Sequence, residues 1–579
     1  MQQDLTQGSI RAGLIRFSLP LIAGNLLQQL YNLVDTWVVG RYLGAAALAA
    51  VGSAFSLMVL LTSLLLGLCM GSGVVFSNLW GQGRREELKT ALVNAFGMIA
   101  LMALALTLLS YALLGVIAAL LRVPAEAAPY LTDYLRVIFG GIFFVFLYNF
   151  FAAVLRSVGN SAAPLIFLLV STVLNVALDL YLVLVAGWGV AGAAWATVIA
   201  QGVSALGIMG YFFLRMPGLC PGRRHFRLDG ALLRRVAGIS LLTSVQQSIM
   251  NFGILMIQSL VNSFGIPTMA AFAAGVKIDS LAYSPAQDFA NGFATFVAQN
   301  RGAGQHERVR RGIREGAALS LGFCVVVSAL VYVFAEPLLG LFLESGEAEI
   351  LRIGVGYLRL EGVFYLLIGL LFLLYAIYRG LEKAGMSVVL TVISLGLRVA
   401  LAYAFAPAFG VTAIWLSIPI GWLIADAVGL VGLPKALAER YLGAREACEA
   451  AGVPFDESRY VETRFSLPDA YGAARAFFPT RGDTTAVFAM SDLVAMGVIR
   501  ALKDMGKRVP EDVSVFGFDG IEMGKYFLPS LTTIVQPQEE IARKSVEVLL
   551  EMMTGGGSGR HVTLPAALAR RESVAAPRK

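Results

Sequence analysis

Five oxygen-bearing side chains lie within long apolar stretches of the chain: Asp35, Asn149, Asn175, Asp179 and Thr197. Asn175 and Asp179 are four residues apart and would share one face of a helix. Carboxylate, amide and hydroxyl oxygens suit a proton or a hard cation, whereas imidazole and thiolate ligands are typical of zinc and copper. An ionisable group inside a membrane helix costs about 2.5 to 3.5 kcal/mol on insertion scales, so it marks an ion or substrate pathway. The sequence thus predicts a site that binds and releases a small cation.

The segments that carry these side chains are long enough to cross a bilayer. Hydrophobic residues make up 57% of the chain, charged residues make up 14%, and the mean hydropathy is +0.73. Such a composition indicates an integral membrane protein. Since a span needs about 20 mostly apolar residues, we predict about twelve, at residues 13–39, 44–71, 88–121, 131–155, 163–187, 190–214, 238–264, 268–299, 312–343, 350–378, 386–406 and 410–433. The first span is too long and too polar for a cleaved signal peptide.

Lysine and arginine residues concentrate in alternate loops. The basic loops contain Arg11, Arg16, Arg84, Arg85, Lys89, Arg215, Arg223, Arg224, Arg227, Arg234, Arg235, Arg301, Arg308, Arg310, Arg311 and Arg314. The other loops have little beyond Arg41, Arg122 and Arg352, and they include Glu344, Glu347 and Glu349. Because short basic loops stay in the cytoplasm, we expect a multi-pass protein of the cytoplasmic membrane with both ends cytoplasmic. This asymmetry explains the net charge of +7 and gives no reason to expect nucleic acid as a partner.

Cysteine and histidine residues do not indicate any further site. The four cysteines and three histidines are scattered, without the spacing of a disulfide framework or a zinc site. We therefore predict no metal centre, no catalytic residues, no enzyme activity and no organic cofactor. The one small partner expected at the polar site is a coupling ion, either H⁺ or Na⁺.

The apolar region contains an internal repeat. LRSVG at residues 155–159 aligns with YRGLE at 378–382, LNVAL at 174–178 aligns at the same offset with LRVAL at 397–401, and GQG at 81–83 aligns with GAG at 302–304. Six spans per copy mean that both copies enter the membrane from the same side, as in parallel repeats. The predicted fold is therefore a mainly α membrane protein with two six-helix lobes, residues 1–215 and 216–436, facing a central cleft.

The second copy does not repeat the polar cluster of the first. Arg398 aligns with Asn175 and Ala402 with Asp179, so we expect the ion site in one lobe only. The polar residues of the second lobe are Gln246, Gln247, Asn251, Lys277, Asp279, Asp288, Glu361, Arg398 and Asp426. Buried ion pairs, Lys277 with Asp279 or Asp288 and Arg398 with Glu361, are favoured over a lining of the cleft, because charges inside membranes usually pair.

The sequence of residues 1–434 resembles the multidrug and toxic compound extrusion (MATE) family. The resemblance depends on LP at residues 19–20, YNLVDT at 31–36, GQG at 81–83 and RSVGN at 156–160. It implies a monomeric, cation-coupled antiporter that exports organic cations by alternating access. It also implies that the amino-terminal cation site lies at the positions of Asp35, Asn149, Asn175, Asp179 and Thr197.

The resemblance further implies that bending of the first helix accompanies ion binding. Pro20 removes one backbone hydrogen bond from that helix and favours a bend, so it is a candidate gating residue. A static kink is an equally good interpretation, since membrane helices tolerate proline. Asn149 and Thr197 have a structural alternative too, because amides and hydroxyls often only join helices at about 0.6 kcal/mol each.

After Pro434 charged residues become more frequent, and a small α/β domain is predicted over residues 437–579. We expect a strand at 486–490, a helix from Ser491 or Asp492 to Met505, a second strand at 513–518, a helix from Pro537 to Met553 and a flexible glycine-rich loop at 555–559. A strand-helix-strand unit implies a parallel sheet.

This tail resembles the effector-binding domain of the lactose-repressor (LacI) family. The matching segments are AAGVPFD at 450–456, SDLVAMG at 491–497, VPEDVSVFGFD at 509–519, LTTI at 531–534 and RES at 571–573. The resemblance implies that Phe465, Ser491 and Asp519 face an effector. However, Ser491 replaces a common Asn, Gly520 replaces a common Asp, and the helix-turn-helix and first lobe of the family do not precede the tail. We therefore expect a truncated fragment without DNA binding, and an error of gene prediction or assembly is favoured over a natural fusion.

Three functions remain open from the sequence. The first is an ion-coupled exporter, the second is a lipid or oligosaccharide flippase of the wider superfamily, and the third is a sugar-responsive regulatory module tethered to the membrane. A flippase would need cationic residues in its cleft for phosphate-linked lipids, whereas spans one to six are expected to contribute acidic and amide groups. Export is therefore the favoured function, with flat organic cations bound by aromatic and methionine side chains.

Overall fold

The computed structural model describes residues 3–120, 126–341, 348–432, 444, 448, 459–461, 463, 465–553 and 564–576. The chain divides into two compact units, Met1–Leu433 and Pro434–Lys579. Some predicted features lie outside the described residues: the start of the tail at residue 437, the motif at 450–456, the loop at 555–559, and Arg122, Glu344 and Glu347.

The first unit consists of helices. Their bounds are α1 Ile10–Leu43, α2 Ala45–Gly81, α3 Arg85–Ala112, α4 Leu114–Leu120, α5 Ala128–Gly140, α6 Ile142–Ser157, α7 Ala162–Asp179, α8 Gly189–Arg215, α9 Gly230–Asn262, α10 Ile266–Gly302, α11 His306–Gly340, α12 Ala348–Gly362, α13 Tyr365–Gly380, α14 Ala384–Phe409 and α15 Val411–Gly432. A π-helical turn, Leu180–Val185, extends α7, and short 3₁₀ turns, Pro217–Leu219 and Arg223–His225, precede α9.

The predicted class, a mainly α membrane protein with a small α/β domain, is confirmed. Within the described residues, nine helices are long and apolar enough to cross a membrane, or eleven if each bent pair counts as one span. The predicted spans 131–155 and 350–378 are these pairs, α5 with α6 and α12 with α13, which bend by 42° and 51°. The predicted span 268–299 lies within α10, a 37-residue helix that is not among these nine helices.

The internal repeat is visible in the helix bounds. Helices α6 and α13 each have 16 residues, and they begin and end at positions that the sequence repeat pairs. Both follow a bend, at Gly141 in the first copy and after Gly362 in the second. The loops after α2 and α10 also match, because Gly83 and Gly304 adopt φ angles of 71° and 70°, which favour glycine. The two copies therefore share one fold.

The two copies contact each other closely at the end of the bundle that carries the basic loops. A Cβ atom on Gly81 of α2 would lie 2.0 Å from the Gln299 carbonyl oxygen, and one on Gly302 of α10 would lie 2.1 Å from that of Asn78. These contacts are reciprocal between equivalent positions. Arg308 adds to them by donating hydrogen bonds to backbone carbonyls of the amino-terminal segment, including that of Gly8 at 2.8 Å. The two copies are thus in direct backbone contact at this end.

The second unit contains a four-stranded sheet of order β1-β2-β3-β4. Its elements are α16 Leu467–Phe477, β1 Ala486–Phe488, α17 Asp492–Asp504, β2 Ser514–Asp519, α18 Met523–Tyr526, β3 Thr532–Val535, α19 Gln538–Met553 and β4 Ala567–Ala569. The first three strands are parallel, and β4 is antiparallel to β3. Helix α17 packs on β2, and its buried Ala495, Ile499 and Leu502 share a core with Val515 of β2 and Ala474 of α16.

Candidate functional site

Three helices of the first copy bring polar side chains together. The Tyr31 hydroxyl of α1 and the Thr197 hydroxyl of α8 lie 3.0 Å apart, and the Asn175 amide of α7 donates to the same Thr197 oxygen at 3.4 Å. Thr197 also donates to the Ala193 carbonyl, one turn earlier in its own helix. Tyr31, Asp35, Asn175, Asp179 and Thr197 are named the first-copy cluster.

The acidic members of the first-copy cluster are buried without full compensation. Asp35 is 8% exposed and Asp179 is 0% exposed. Both Asp179 carboxylate oxygens, one oxygen of Asp35 and the Asn175 amide oxygen have no hydrogen-bond partner among the described residues. The two carboxylates lie within electrostatic reach of each other. Buried polar atoms are normally hydrogen-bonded, so these oxygens form a set of acceptors suited to a shared cation or proton.

The backbone changes geometry immediately after Asp179. Helix α7 ends at Asp179, and Leu180–Val185 continues it as a π-helix, with the Ala186 amide bonded to the Tyr181 carbonyl at 2.8 Å. π-Helical turns are rare in proteins, but those that occur are often at functional sites, because they displace the side chains on one face of a helix. The sequence predicted one continuous span here, and its periodicity contained no signal for the π-turn.

A cavity of about 640 Å³ lies beside the first-copy cluster, and both copies of the repeat line it. This volume is typical of small-molecule sites. Of the five predicted site residues, Asp35, Asn149, Asn175 and Thr197 lie on its wall, whereas Asp179 is buried behind the wall. Asn149 donates a hydrogen bond to the Val145 carbonyl of its own helix.

The wall also contains residues that the sequence did not single out. Tyr31 and Tyr134 lie on it, and both hydroxyls are within electrostatic reach of Asp35 and Asp179. Tyr31 precedes Asp35 by one helical turn, a spacing that could have identified it. The aromatic and methionine side chains expected for flat cations are present as Phe55, Met58, Met70 and Phe144. Pro20 lies on the wall too, and α1 continues through it as one helix.

Among the described residues on this wall, the charged side chains are Asp35, Arg156, Asp288 and Arg379. Spans one to six contribute acidic and amide groups to the wall, and Arg156 in the last turn of α6 adds a cationic group. The apolar pattern predicts that the span ends at residue 155, so the sequence does not show which way the Arg156 side chain points.

The polar residues of the second lobe pair differently from the prediction. Asp279 is buried and accepts hydrogen bonds from the Tyr357 and Tyr365 hydroxyls. Glu361 and Arg398 lie within electrostatic reach of Asp279. Asp279, Tyr357, Glu361, Tyr365 and Arg398 are named the second-copy cluster, and none of these described side chains lies on the cavity wall.

The predicted buried pair with Lys277 is wrong, because Lys277 is exposed while Asp279, two residues later, points into the bundle. Asp288 is not its partner either, since it lies on the cavity wall within electrostatic reach of Arg156. Arg398 is near Glu361, as predicted, but the Arg398 Nε has no hydrogen-bond partner among the described residues. Asp426 of α15 is a further buried carboxylate without such a partner.

In the second unit, two predicted effector-facing residues lie at the carboxyl ends of neighbouring parallel strands. Ser491 follows β1 and caps α17 by accepting a hydrogen bond from the Val494 amide at 3.3 Å. Asp519 ends β2 with a φ of 130° and accepts a hydrogen bond from Gln536 at 2.9 Å. Ligands of open α/β sheets bind at this edge. Phe465 is 46% exposed and precedes α16.

Comparison with known families and relatives separates the two units in the same way. Residues 20–181 and 243–404 each match the MatE family, and residues 426–574 match the family described as periplasmic binding protein-like domain. A probable multidrug resistance protein of Bacillus subtilis (strain 168), YpnP, is 29% identical over 435 residues, which cover 74% of this chain and 96% of the relative.

Two further similarities concern the structure of the first unit and the sequence of the second. The first unit is similar to a solved structure of a MOP superfamily transporter from Pyrococcus furiosus Vc1 (DSM3638), whose binding pocket is described as having reverse polarity. The TM-score is 0.70 and the identity is 24%, and the match covers 74% of this chain and 96% of that transporter. The tail is 37% identical over 131 residues to the HTH-type transcriptional regulator MalR of Clostridium butyricum, and the chain spans 39% of that regulator's length.

The MatE family matches more than half of the chain, in two copies whose equivalent helices, α6 and α13, begin and end at corresponding positions. The similarity to a multidrug resistance protein extends over nearly the whole length of that relative. The chain therefore belongs to the MatE family of integral membrane transporters, and it carries a periplasmic binding protein-like domain after the transporter unit.

Proposed function

We propose that this chain exports organic cations across the cytoplasmic membrane in exchange for H⁺ or Na⁺, by alternating access of the central cavity. The observation that carries the proposal is the set of unpartnered oxygens of Asp35, Asn175 and Asp179 next to a cavity that both copies line. A carboxylate pair in a low-dielectric site is stable only when it is protonated, paired with a cation or exposed to water. The occupant of the first-copy cluster would therefore change the energy of the closed and open states.

Helix α1 is the element through which we propose this change to act. It contributes Tyr31 and Asp35 to the cluster, and it also contributes Pro20, Asn25 and Gln28 to the cavity wall. A bound cation would attract the carboxylates of both Asp35 on α1 and Asp179 on α7, or a proton would neutralise one of them, and ion release would leave the two carboxylates to repel each other. Pro20 lacks a backbone N–H and so weakens α1 on the amino-terminal side of Tyr31 and Asp35. A ligand shifts such an equilibrium only by its difference in affinity for the two states.

The orientation of the molecule is part of the same proposal. In this proposal the reciprocal contacts of Gly81 and Gly302 close the cavity at the end where the basic loops lie, and short basic loops stay in the cytoplasm. The structure would then have its cavity closed toward the cytoplasm, with both termini and the tail on that side. Cysteine labelling of single-cysteine variants at Arg84 and Tyr42, with an impermeant reagent applied to whole cells, tests this: labelling at position 42 alone is expected, and labelling at position 84 alone would overturn it.

The proposed export is tested in cells that express the full chain and are loaded with ethidium. Asp35→Asn and Asp179→Asn are expected to raise ethidium accumulation to the level of cells without the transporter. Asp133→Asn is the matched control, because Asp133 is an exposed aspartate of α5. Equal accumulation in the parent and both cluster variants, at equal membrane expression, would contradict the site assignment.

A lipid or oligosaccharide flippase is the second candidate. The observation that favours it is the presence of Arg156 and Arg379 on the cavity wall, because phosphate-linked lipids need cationic groups. The acidic first-copy cluster on the same wall favours export. Release of ethidium by the parent, but no movement of fluorescent phospholipid in proteoliposomes, is the expected result.

A further inference from the structure

Two arginines occupy equivalent positions of the repeat on the cavity wall. Arg156 is the second-last residue of α6, and Arg379 is the second-last residue of α13. Both helices have the same length, so the repeat brings one guanidinium from each copy to the same level of the central cavity. Among the described residues on the wall, these are the two cationic side chains.

Both guanidinium groups approach one turn of helix α10. The Arg379 Nη2 donates a hydrogen bond to Asn291 Oδ1 at 2.9 Å. Arg156 lies within electrostatic reach of Asp288. Asp288 and Asn291 are three residues apart, so their side chains are neighbours on one helix face, roughly 5–6 Å apart at Cβ. Arg156 and Arg379 therefore converge on a single patch of the wall.

The protein leaves donors of both arginines unused. The Nε atoms of Arg156 and Arg379 are buried and have no hydrogen-bond partner among the described residues. Arg379 is only 5% exposed. Behind the wall it faces Tyr375, which also lies near Asp426. A guanidinium taken out of water needs hydrogen-bonded compensation, and a planar anion that accepts two parallel N–H bonds supplies it best.

The charge on this patch is positive. Two guanidinium groups face one carboxylate, that of Asp288. Asp288 lies beside Asn25 of α1, whereas Asp35 comes ten residues later in the same helix, which corresponds to roughly 15 Å along the axis. The cavity thus has an acidic level at the first-copy cluster and a separate cationic level at the two arginines.

We propose that Arg156 and Arg379 form an anion subsite of the cavity, which binds the carboxylate, phosphate or sulfonate group of an amphiphilic substrate. This inference rests on the proposed export function and narrows the class of substrates. Organic cations that also carry an anionic group are bound more tightly than the same cations with a neutral group in its place. The apolar body of such a substrate contacts Met58, Met70 and Phe144 on the same wall.

The test compares two dyes with one chromophore. Tetramethylrhodamine free acid carries a carboxylate and a delocalised cation, whereas its methyl ester carries the cation alone. Fluorescence anisotropy with the purified full chain in an uncharged detergent gives a dissociation constant for each dye. Arg156→Gln and Arg379→Gln are expected to weaken binding of the free acid about tenfold, the typical loss for a charge-assisted hydrogen bond, while binding of the ester stays within about twofold. Arg136→Gln is the matched control, because Arg136 is an exposed arginine of α5.

Other outcomes have defined meanings. Equal weakening of both dyes, or weakening of neither, would overturn the anion subsite. If a glutamine variant fails to purify as a monodisperse protein, Arg156→Lys keeps the charge and removes the planar fork, and an unchanged affinity for the free acid would then also overturn it. Binding of the free acid but not of the ester by the parent would support the subsite and contradict organic-cation export. Binding of neither dye would contradict both proposals.

Competitors separate two sources of the anionic group. Dodecyl phosphate is expected to displace the free acid from the parent, and to lose this ability in the two glutamine variants. Inorganic phosphate at the same concentration is expected to displace little, because it lacks an apolar body. Equal displacement by both would support the subsite but contradict its assignment to an amphiphilic substrate.

Discussion

The first-copy and second-copy clusters show how one repeated fold treats buried acids in two ways. In the first copy, Asp35 and Asp179 lie near each other, and most of their oxygens have no hydrogen-bond partner among the described residues. In the second copy, Asp279 accepts hydrogen bonds from two tyrosine hydroxyls and lies near Arg398. The first cluster also borders the cavity, whereas the second is sealed inside the bundle. Compensation from within the protein indicates a structural role, and its lack next to a cavity indicates an exchangeable partner.

The repeat explains why the two clusters differ. The positions equivalent to Asn175 and Asp179 are Arg398 and Ala402. An arginine supplies within the protein the positive charge that a bound cation would supply, and an alanine removes one of the acids. These positions of the second lobe therefore need no bound cation.

The largest expected effect is a divergence between two aspartate substitutions. Asp179→Asn is expected to reduce export at least tenfold and to leave the melting temperature unchanged or higher, because an uncompensated buried charge is removed. Asp279→Ala is expected to lower the melting temperature, since two buried tyrosine hydroxyls lose their acceptor at about 1–3 kcal/mol each. Thermal unfolding in detergent and ethidium export in cells measure the two quantities. The comparison between the clusters fails if Asp279→Ala melts like the parent.

At the contact between α2 and α10, by contrast, we expect equivalent substitutions in the two copies to have equal effects on export. Gly81→Ala and Gly302→Ala each place a Cβ atom at about 2 Å from a backbone carbonyl oxygen of the other helix, so both must separate the helices at the end with the basic loops. We expect export to fall several-fold, and by the same factor in both variants, because the contact is reciprocal. Gly97→Ala is the control, because a Cβ atom there meets nothing within 4 Å. Unequal losses would show that the copies do not close as equivalent partners.

The sequence was sufficient for the helices that carry the site, and insufficient for what each side chain meets. The spacing of Asn175 and Asp179 predicted both on one face of α7, and the polar positions in neighbouring spans predicted Asp35 and Thr197 near them, where the structure places them. The partners of Asp279, by contrast, are Tyr357 and Tyr365, which come from other helices about 80 residues away in the chain. Periodicity tells which face of a helix is polar, but the residue opposite depends on the register between helices. For the same reason, the sequence did not show that the Arg156 side chain lies on the cavity wall.

The next prediction concerns the ion itself. If the first-copy cluster binds Na⁺, replacing choline by Na⁺ raises the melting temperature of the parent, because a ligand of the folded state stabilises it by about 2.7 kcal/mol at 100 times its dissociation constant. If it binds H⁺, Na⁺ has no effect and lowering the pH raises the melting temperature instead. Asp179→Asn is expected to abolish the response in either case, and Asp279→Asn is expected to keep it. A parent that responds to neither ion would contradict an exchangeable cation at this cluster.

The smallest expected effect separates two tyrosines with similar chemistry. Tyr31→Phe removes the hydroxyl that contacts Thr197 on α8, and a single neutral hydrogen bond contributes about 0.5–1.5 kcal/mol. We therefore expect the concentration of coupling ion that gives half-maximal export to rise by about two- to tenfold, with an unchanged melting temperature. Tyr357→Phe removes a donor from Asp279 and is expected to lower the melting temperature without changing the ion dependence, while Tyr130→Phe, at an exposed position of α5, should change neither. Since both substitutions delete one hydroxyl oxygen from a tyrosine, opposite patterns can arise only from what surrounds each hydroxyl, and identical patterns would mean that the two clusters share one role.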